Sequence, residues 1–173
     1  IYGYNNINTS DKLSTSISFS EKITNEKIEN IAANFLVAQG YYETMANSLT
    51  KPDYHSYSES LHESENVTML NALSKDLEVM RQSMVFGGLE AVAYNLNRRN
   101  SIIKTFEFGK TYHYKEGTFL EEKHVSLIVS GRRTHESWNS ENRETDFFYL
   151  KGIVQALLTR LGIVNFVSGI TEN

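Results

Sequence analysis

The clearest repeat of apolar positions in this chain lies between residues 85 and 96. Four apolar residues recur there at spacings of four, three and four: Val85, Leu89, Val92 and Leu96. This period places their side chains along one face of an α-helix. Arg98 and Arg99 follow, and cations at that end offset the negative pole of the helix dipole. We therefore predict a helix over residues 85–96 that covers a sheet with its apolar face.

A two-residue alternation replaces the helical period after residue 105. Successive side chains of a strand point to opposite faces. One face would carry Phe106, Phe108, Lys110, Tyr112 and Tyr114, and the other Glu107, Gly109, Thr111 and His113. Residues 115–124 are mostly polar and residues 125–129 mostly apolar. The pattern predicts two strands joined by a charged connection over residues 115–124.

Two further helices are predicted on either side of this hairpin. The first is capped by Thr24, ends before Gly40, and has its apolar positions at Ile28, Ile31, Phe35 and Ala38. The second is capped by Asp146 or Thr145, ends at Gly162, and has its apolar positions at Leu150, Val154, Leu157 and Leu161.

The remaining segments predict short elements and loops. We expect strands at residues 41–49 and 67–70, a turn at 71–74, and the start of a strand at 163–167. Residues 51–66, which contain the only proline, predict an exposed excursion. Residues 131–145 predict a polar loop with one docked aromatic, Trp138.

Length, composition and charge exclude several classes of function. A chain of 173 residues that is 40% hydrophobic can bury the core of one domain. Its net charge of -4 does not favour avid nucleic-acid binding, and the absence of cysteine excludes disulfides and thiolate metal sites. No apolar run reaches the roughly 18 residues of a membrane span. We expect a cytoplasmic protein fragment with no membrane contact.

Several phrases in this sequence resemble a known family in order and spacing. The stretch from Leu77 to Gly131 resembles motif 2 of the class II aminoacyl-tRNA synthetases. MRQSM, GLEAVAYNLNR, FEFGKTYHY and EEKHVSLIVSG are more specifically similar to the catalytic-like module of the bacterial phenylalanyl-tRNA synthetase beta-subunit family. The later phrases SWN, DFFYLKGIV and LLTRLGI extend this resemblance towards the end of the chain.

The resemblance implies a fold, a domain division and a partner. The fold would be α+β, a mainly antiparallel sheet with packed helices, as a class II synthetase-like module truncated at its C-terminus. Residues 1–20 would end a preceding small domain and form a tether, and residues 21–173 would form the incomplete module. The 24–39 helix would correspond to motif 1, the subunit interface of the class, which makes Ile28, Ile31 and Phe35 candidates for contact with the catalytic alpha subunit. An ordinary amphipathic helix packed on its own sheet is the competing interpretation of the same pattern.

The resemblance also locates the positions where a nucleotide would bind. Motif 2 of the class supplies an arginine that grips the α-phosphate of ATP, followed by a glutamate. In this sequence those positions hold His113 and Lys115. At the first position, the neutral imidazole of His113 replaces a charged guanidinium that can donate two hydrogen bonds. At the second, the positive charge of Lys115 replaces the negative charge of a glutamate. We therefore expect no catalytic residue, no metal and no cofactor in this segment. The resemblance implies that the ATP and Mg²⁺ chemistry of the complete alpha2beta2 enzyme belongs to the alpha subunit. It also implies that this segment lacks the family's magnesium-binding carboxylates, which lie upstream, and motif 3, which lies downstream.

Other combinations of reactive residues give weaker signals. Glu107 and His113 share a strand face, but six residues separate them by roughly 20 Å. Ser83, His124 and Asp76 lack a nucleophile-elbow phrase around the serine. His55 and His62 lack a third metal ligand at a suitable spacing. We expect Arg81 to form an ion pair at a strand–helix junction. We expect Gly88 to let the helix approach the sheet closely.

Three functions remain open at this stage. The first is a non-catalytic structural module that docks on the alpha subunit of an enzyme that charges tRNA with phenylalanine. The second is an ATP-dependent ligase domain with a divergent motif 2. The third is RNA binding through Arg132, Arg133 and Arg143.

Overall fold

A computed structural model describes residues 3–6, 16, 23–139 and 141–169 of the chain. Within these residues the main elements form two three-stranded sheets and three α-helices. They are α1 (Asn25–Ala38), β1 (Tyr42–Glu43), β2 (Leu49–Thr50), β3 (Val67–Thr68), β4 (Val79–Met80), α2 (Val85–Leu96), β5 (Ile103–Lys115), β6 (Thr118–Ser130) and α3 (Phe147–Arg160). The predicted α+β class is confirmed. None of the described helices is long and apolar enough to cross a membrane.

The β5–β6 hairpin is the largest element and corrects one prediction. Its antiparallel register runs from Ile103 opposite Ser130 to Lys115 opposite Thr118. The predicted charged connection at residues 115–124 is wrong, because the turn consists only of Glu116 and Gly117, with φ angles of 50° and 80°. Two successive positive φ angles form the kind of turn whose twist matches paired strands. The polar residues that follow lie within the exposed outer half of β6, where backbone pairing needs no apolar side chains.

The main core lies on the face of the hairpin that carries Phe106. It consists of buried residues from α1, β5, α3 and the chain after α1: Ala32, Leu36, Tyr41, Phe106 and Leu157. Strand β1 pairs in parallel with β5 at Thr105 and Phe106, along the edge of β5 that faces away from β6. Both caps are confirmed: the Thr24 hydroxyl accepts a hydrogen bond from the Lys27 amide, and the Asp146 carboxylate accepts one from the Tyr149 amide at 2.7 Å.

The opposite face of the hairpin is covered by α2, and the helix is turned differently from the prediction. A Cβ added to Gly88 would lie 1.9 Å from Cδ1 of Ile128, so this glycine allows the close approach that the sequence indicated. The predicted apolar face, however, points largely away from the sheet. Val85 and Leu89 are 54% and 53% exposed, and Leu96 is exposed as well. The contact with the sheet uses small residues instead.

A second, smaller sheet lies beside the hairpin in the order β2–β4–β3. The predicted strand over residues 41–49 is broken into β1 and the start of β2, because the chain leaves β5 after Glu43 and next pairs with β4. Residues 51–66 form the predicted excursion, with 3-10 helices at Pro52–Tyr57 and Glu63–Glu65.

Two predictions concern the ends of the chain. The strand predicted at residues 163–167 is absent, because no described segment pairs with these residues, and Val167 is almost fully exposed. The predicted tether within residues 1–20 lies largely outside the described residues. A 3-10 helix at Tyr4–Asn6 is the regular element described there.

Candidate functional site

The site predicted from motif 2 lies at the outer end of β5, on the face of the hairpin opposite the main core. His113 and Lys115 are two residues apart, so their side chains point to the same face. Nδ1 of His113 lies 3.0 Å from Oε2 of Glu65, and Nζ of Lys115 lies 3.2 Å from the same oxygen. Glu65 comes from the 3-10 helix Glu63–Glu65 of the excursion. Both side chains that the resemblance assigns to the motif 2 positions are therefore paired with a carboxylate of the same chain.

The electrostatics of this cluster favour an ionised Glu65. Desolvation acts to raise the pKa of Glu65, but hydrogen bonds from His113 and Lys115 outweigh it and hold the pKa below its ordinary value. Sequence reasoning missed Glu65, which is 48 residues from His113 along the chain. Two cationic or protonatable groups on one strand face do indicate a carboxylate nearby, but they do not indicate which one.

A polar cleft of about 290 Å³ adjoins the cluster. Its lining residues are Gln82, Ser83, Met84, Val85, Thr111, His113, Glu122, His124, Val125 and Ser126. Nε2 of His124 lies 2.8 Å from the Thr111 hydroxyl and 3.6 Å from the Glu122 carboxylate. These lining residues include a carboxylate but no lysine or arginine. Such a surface lacks the fixed positive charge that a polyphosphate requires.

Further along the same strand face, a guanidinium serves the structure rather than a ligand. Arg81 is 5% exposed and Glu107 is 6% exposed, and Nη1 of Arg81 lies 2.8 Å from Oε1 of Glu107. Nε of Arg81 also donates a hydrogen bond to the Lys110 carbonyl oxygen at 2.9 Å. The predicted ion pair of Arg81 is confirmed. Glu107 and His113 are not an acid–base pair, because each is bound to a different partner.

The other predicted combinations of reactive residues are engaged in separate contacts. The Ser83 hydroxyl accepts a hydrogen bond from the Val85 amide, whereas His124 contacts Thr111. Nδ1 of His55 lies 2.7 Å from the Pro52 carbonyl oxygen. No group of three metal-ligating side chains occurs among the described residues.

The excursion that supplies Glu65 is fastened to α2 by an aromatic and charged contact. The rings of Tyr54 and Phe86 stack at 4.5 Å, and Lys51 lies 3.2 Å from Glu90. The Tyr54 hydroxyl donates a hydrogen bond to Glu90. Desolvation, together with this bond, raises the pKa of Tyr54 to about 12, and the same bond lowers the pKa of Glu90. These contacts hold the segment that supplies Glu65 against α2.

The candidate interface residues on α1 have different surroundings. Phe35 packs against the main core, and Ile31 is partly buried. Ile28 is 42% exposed and borders an apolar cleft of about 210 Å³ together with Ala32, Phe108 and Leu161. Of the three candidates, Ile28 therefore has the most surface left for another protein.

The arginine-rich loop offers little free positive charge. Arg132 lies 3.3 Å from Glu136, Arg133 lies 2.9 Å from Asp146, and Arg143 contacts Glu141. The predicted docking of Trp138 is wrong: its side chain is 97% exposed, because the loop is closed by backbone hydrogen bonds and ion pairs rather than by packing of the indole.

Comparisons with known proteins agree with the sequence phrases. A family model described as the phenylalanyl tRNA synthetase beta chain CLM domain matches residues 11–172. The phenylalanine–tRNA ligase beta subunit of Bacteroides thetaiotaomicron is 36% identical over 94% of this chain and 21% of its own length. That of Lactobacillus acidophilus is 32% identical over 94% of this chain and 20% of its own length. The chain thus spans about a fifth of the length of these curated relatives.

Solved structures show the same fold at low sequence identity. A Bacillus halodurans protein described as an ATP phosphoribosyltransferase regulatory subunit/histidyl-tRNA synthetase aligns with a TM-score of 0.60 at 13% identity, over 89% of this chain and 39% of that one. A pyrrolysyl-tRNA synthetase from Desulfitobacterium hafniense aligns with a TM-score of 0.57 at 20% identity, over 82% of this chain and 46% of that one. These similarities confirm a class II synthetase-like architecture.

Proposed function

Because the chain belongs to the phenylalanyl-tRNA synthetase beta-chain family, we propose that it is a non-catalytic structural module of a phenylalanine–tRNA ligase. In this proposal it docks on a catalytic alpha subunit in an alpha2beta2 complex in the cytoplasm. The alpha subunit binds ATP and Mg²⁺ and joins phenylalanine to tRNA. The module contributes architecture to that complex.

One observation carries the proposal of catalytic silence. At the motif 2 position, Glu65 lies within 3.2 Å of both His113 and Lys115. An incoming α-phosphate would meet a carboxylate there instead of a guanidinium, and like charges repel. The neighbouring Arg81 guanidinium is already bound to Glu107 and to a backbone carbonyl.

Calorimetric titration of Mg²⁺-ATP into the chain tests this part of the proposal. We expect no heat of binding at micromolar nucleotide, because the phosphate-binding charge is missing. A His55→Ala variant serves as a control for the loss of a histidine outside the cleft. Micromolar binding that is lost in His113→Ala and kept in His55→Ala would instead support a ligase domain with a divergent motif 2.

Docking is tested separately, on α1. Aspartate at Phe35 would disturb the core, since this residue packs against it. Ile28→Asp is the sharper variant, and Val37→Asp, at an exposed position on the opposite side of the same helix, is its matched control. We expect Ile28→Asp to reduce co-purification with the family's alpha subunit while Val37→Asp does not. Unchanged complex formation by a folded Ile28→Asp variant would remove this side of α1 from the interface.

The same preparations test the RNA-binding alternative. The ion pairs of Arg132, Arg133 and Arg143 predict weak association between tRNA and the chain. A tRNA affinity that falls steeply with salt, and that is lost on replacing these arginines, would support RNA binding instead.

A further inference from the structure

A third cleft, of about 320 Å³, lies between α2 and the inner half of the hairpin. The helix contributes only small residues to it, Gly87, Gly88 and Ala91, and the sheet contributes the Ile128 side chain. Phe106 also borders the cleft, but its side chain lies in the main core on the other face of the hairpin. The small side chains bring the helix backbone near the sheet at Gly88 and leave open space beside it. At roughly 30 Å³ per water molecule, the space corresponds to about ten waters, which is ample for a molecule with one aromatic ring.

The polar groups of this cleft all lie on its sheet side and on the segment after β1. Hydroxyls of Thr44, Thr105 and Ser126 border it, and Glu107 is the one charged residue among the described residues that line it. Arg81 contacts Oε1 of Glu107, but a carboxylate has a second oxygen with further capacity to accept hydrogen bonds. A hydrogen-bond donor such as an ammonium group complements this remaining acceptor capacity.

We propose that this cleft binds a small organic amine: a molecule with an apolar body about the size of one aromatic ring and an ammonium head directed towards Glu107. The body contacts Met84, Ala91 and Ile128, and the head donates to the carboxylate and the neighbouring hydroxyls. A free amino acid fits less well, because its carboxylate finds no cationic side chain among the lining residues. The proposal does not depend on the function proposed above.

The methionines provide a built-in test. The chain has four, of which Met45 and Met84 line the cleft, whereas Met69 and Met80 do not. Met45 is 92% exposed and Met84 is buried, so they report on the rim and the wall separately. The experiment labels the methionine methyl groups with ¹³C and titrates the 173-residue chain with 2-phenylethylamine, using NMR detection.

We expect saturable shifts of the Met45 and Met84 signals, with Met69 and Met80 unmoved. The neutral 2-phenylethanol and the zwitterion L-phenylalanine should each bind at least about tenfold more weakly. Equal or tighter binding of L-phenylalanine would overturn the assignment of an amine site. The absence of shifts at millimolar amine, or equal shifts of all four signals, would overturn the site itself.

A pair of variants on α2 locates the binding. Ala91→Phe places a ring in the cleft and should abolish the shifts, whereas Ala93→Phe, on an exposed part of the helix that does not line the cleft, should leave them intact. Unchanged Met69 and Met80 signals show that each variant is folded. Retained binding in a folded Ala91→Phe variant would contradict the proposal.

Discussion

Two ion-paired sites on one face of β5 have similar chemistry and different depth. At the inner site, Arg81 and Glu107 are both more than nine-tenths buried, and their atoms meet at 2.8 Å. At the outer site, Glu65 faces His113 and Lys115 at 3.0 and 3.2 Å, and half of the lysine side chain is exposed. The guanidinium on this face is therefore that of Arg81, and it holds β4 against β5.

The difference shows that burial, rather than residue type, decides how much the loss of one charged partner destabilises the fold. Removing one partner of a buried pair leaves an uncompensated charge without water. At a part-exposed site water replaces the lost partner, and the pair contributes little to stability. The inner site is therefore expected to tolerate few substitutions, and the outer site many.

The largest effect is expected from Arg81→Leu. The variant leaves the Glu107 carboxylate buried and unpaired, which should lower the free energy of unfolding by about 3–5 kcal/mol. Urea denaturation at pH 7 measures it. The double variant Arg81→Leu/Glu107→Leu removes both charges and should recover part of that loss. A single-variant loss below about 1 kcal/mol would show that the inner site behaves like the outer one.

A smaller effect is expected from Gly109→Ala, between the two sites. The added Cβ would lie 2.2 Å from Nη2 of Arg81 and 2.6 Å from Cε of Met84. Displacing these buried side chains should cost about 1–3 kcal/mol of stability in the same assay. Gly152→Ala in α3 is the control, since its Cβ meets no atom within 4 Å; the better helix propensity of alanine should make it neutral or stabilising. Equal losses in both variants would exclude a specific effect at Arg81.

At the outer site the expected effect depends on pH. Because the folded-state pKa of Glu65 is lowered, its contribution to stability is present above the unfolded-state pKa and is lost as the pH falls through the folded-state pKa. NMR titration of the Glu65 carboxyl in wild type and in Lys115→Ala should show the pKa moving up in the variant. A pKa that stays unchanged would indicate that Lys115 does not contribute to the shift.

The smallest effect is expected from His113→Arg. The variant introduces the residue type that the resemblance to motif 2 leads us to expect at position 113, but this residue still faces Glu65. The free energy of unfolding should therefore change by no more than about 1 kcal/mol. Thermal and urea unfolding measure this. Nucleotide binding gained by this single change would show that Glu65 does not close the position, and would weaken the proposal of catalytic silence.

The two helices on opposite faces of the hairpin show how far the apolar pattern could predict packing. The apolar period predicted the positions of both α1 and α2, and a capping residue supported the start of α1. For α1 the predicted stripe includes Phe35, which does pack on the core, although the most buried residues are Ala32 and Leu36. For α2 the predicted stripe faces outwards, because close approach of the helix to Ile128 requires the glycine side. Periodicity identifies a face, but it does not identify which partner covers that face.

The polar half of the hairpin and the Glu65 contact could not be predicted from local sequence patterns, for a different reason in each case. The outer half of β6 is held by backbone hydrogen bonds to β5, and apart from Phe119 and Leu120 its side chains carry no apolar signal. Glu65 reaches His113 only because β3, β4 and the Tyr54 contact place the excursion over the end of the hairpin. A contact across 48 residues depends on how several elements pack together.

The sequence by itself determined the family, the α+β class, the three helices and the caps of two of them, α1 and α3, since each is written in local spacing or in residue identity. Only the tertiary structure decided that β6 begins at residue 118, that α2 turns its glycines to the sheet, and that Glu65 pairs with His113 and Lys115. These three facts depend on side chains and strands distant in the chain, whose meeting is fixed by the packing of the whole module and not by any one segment.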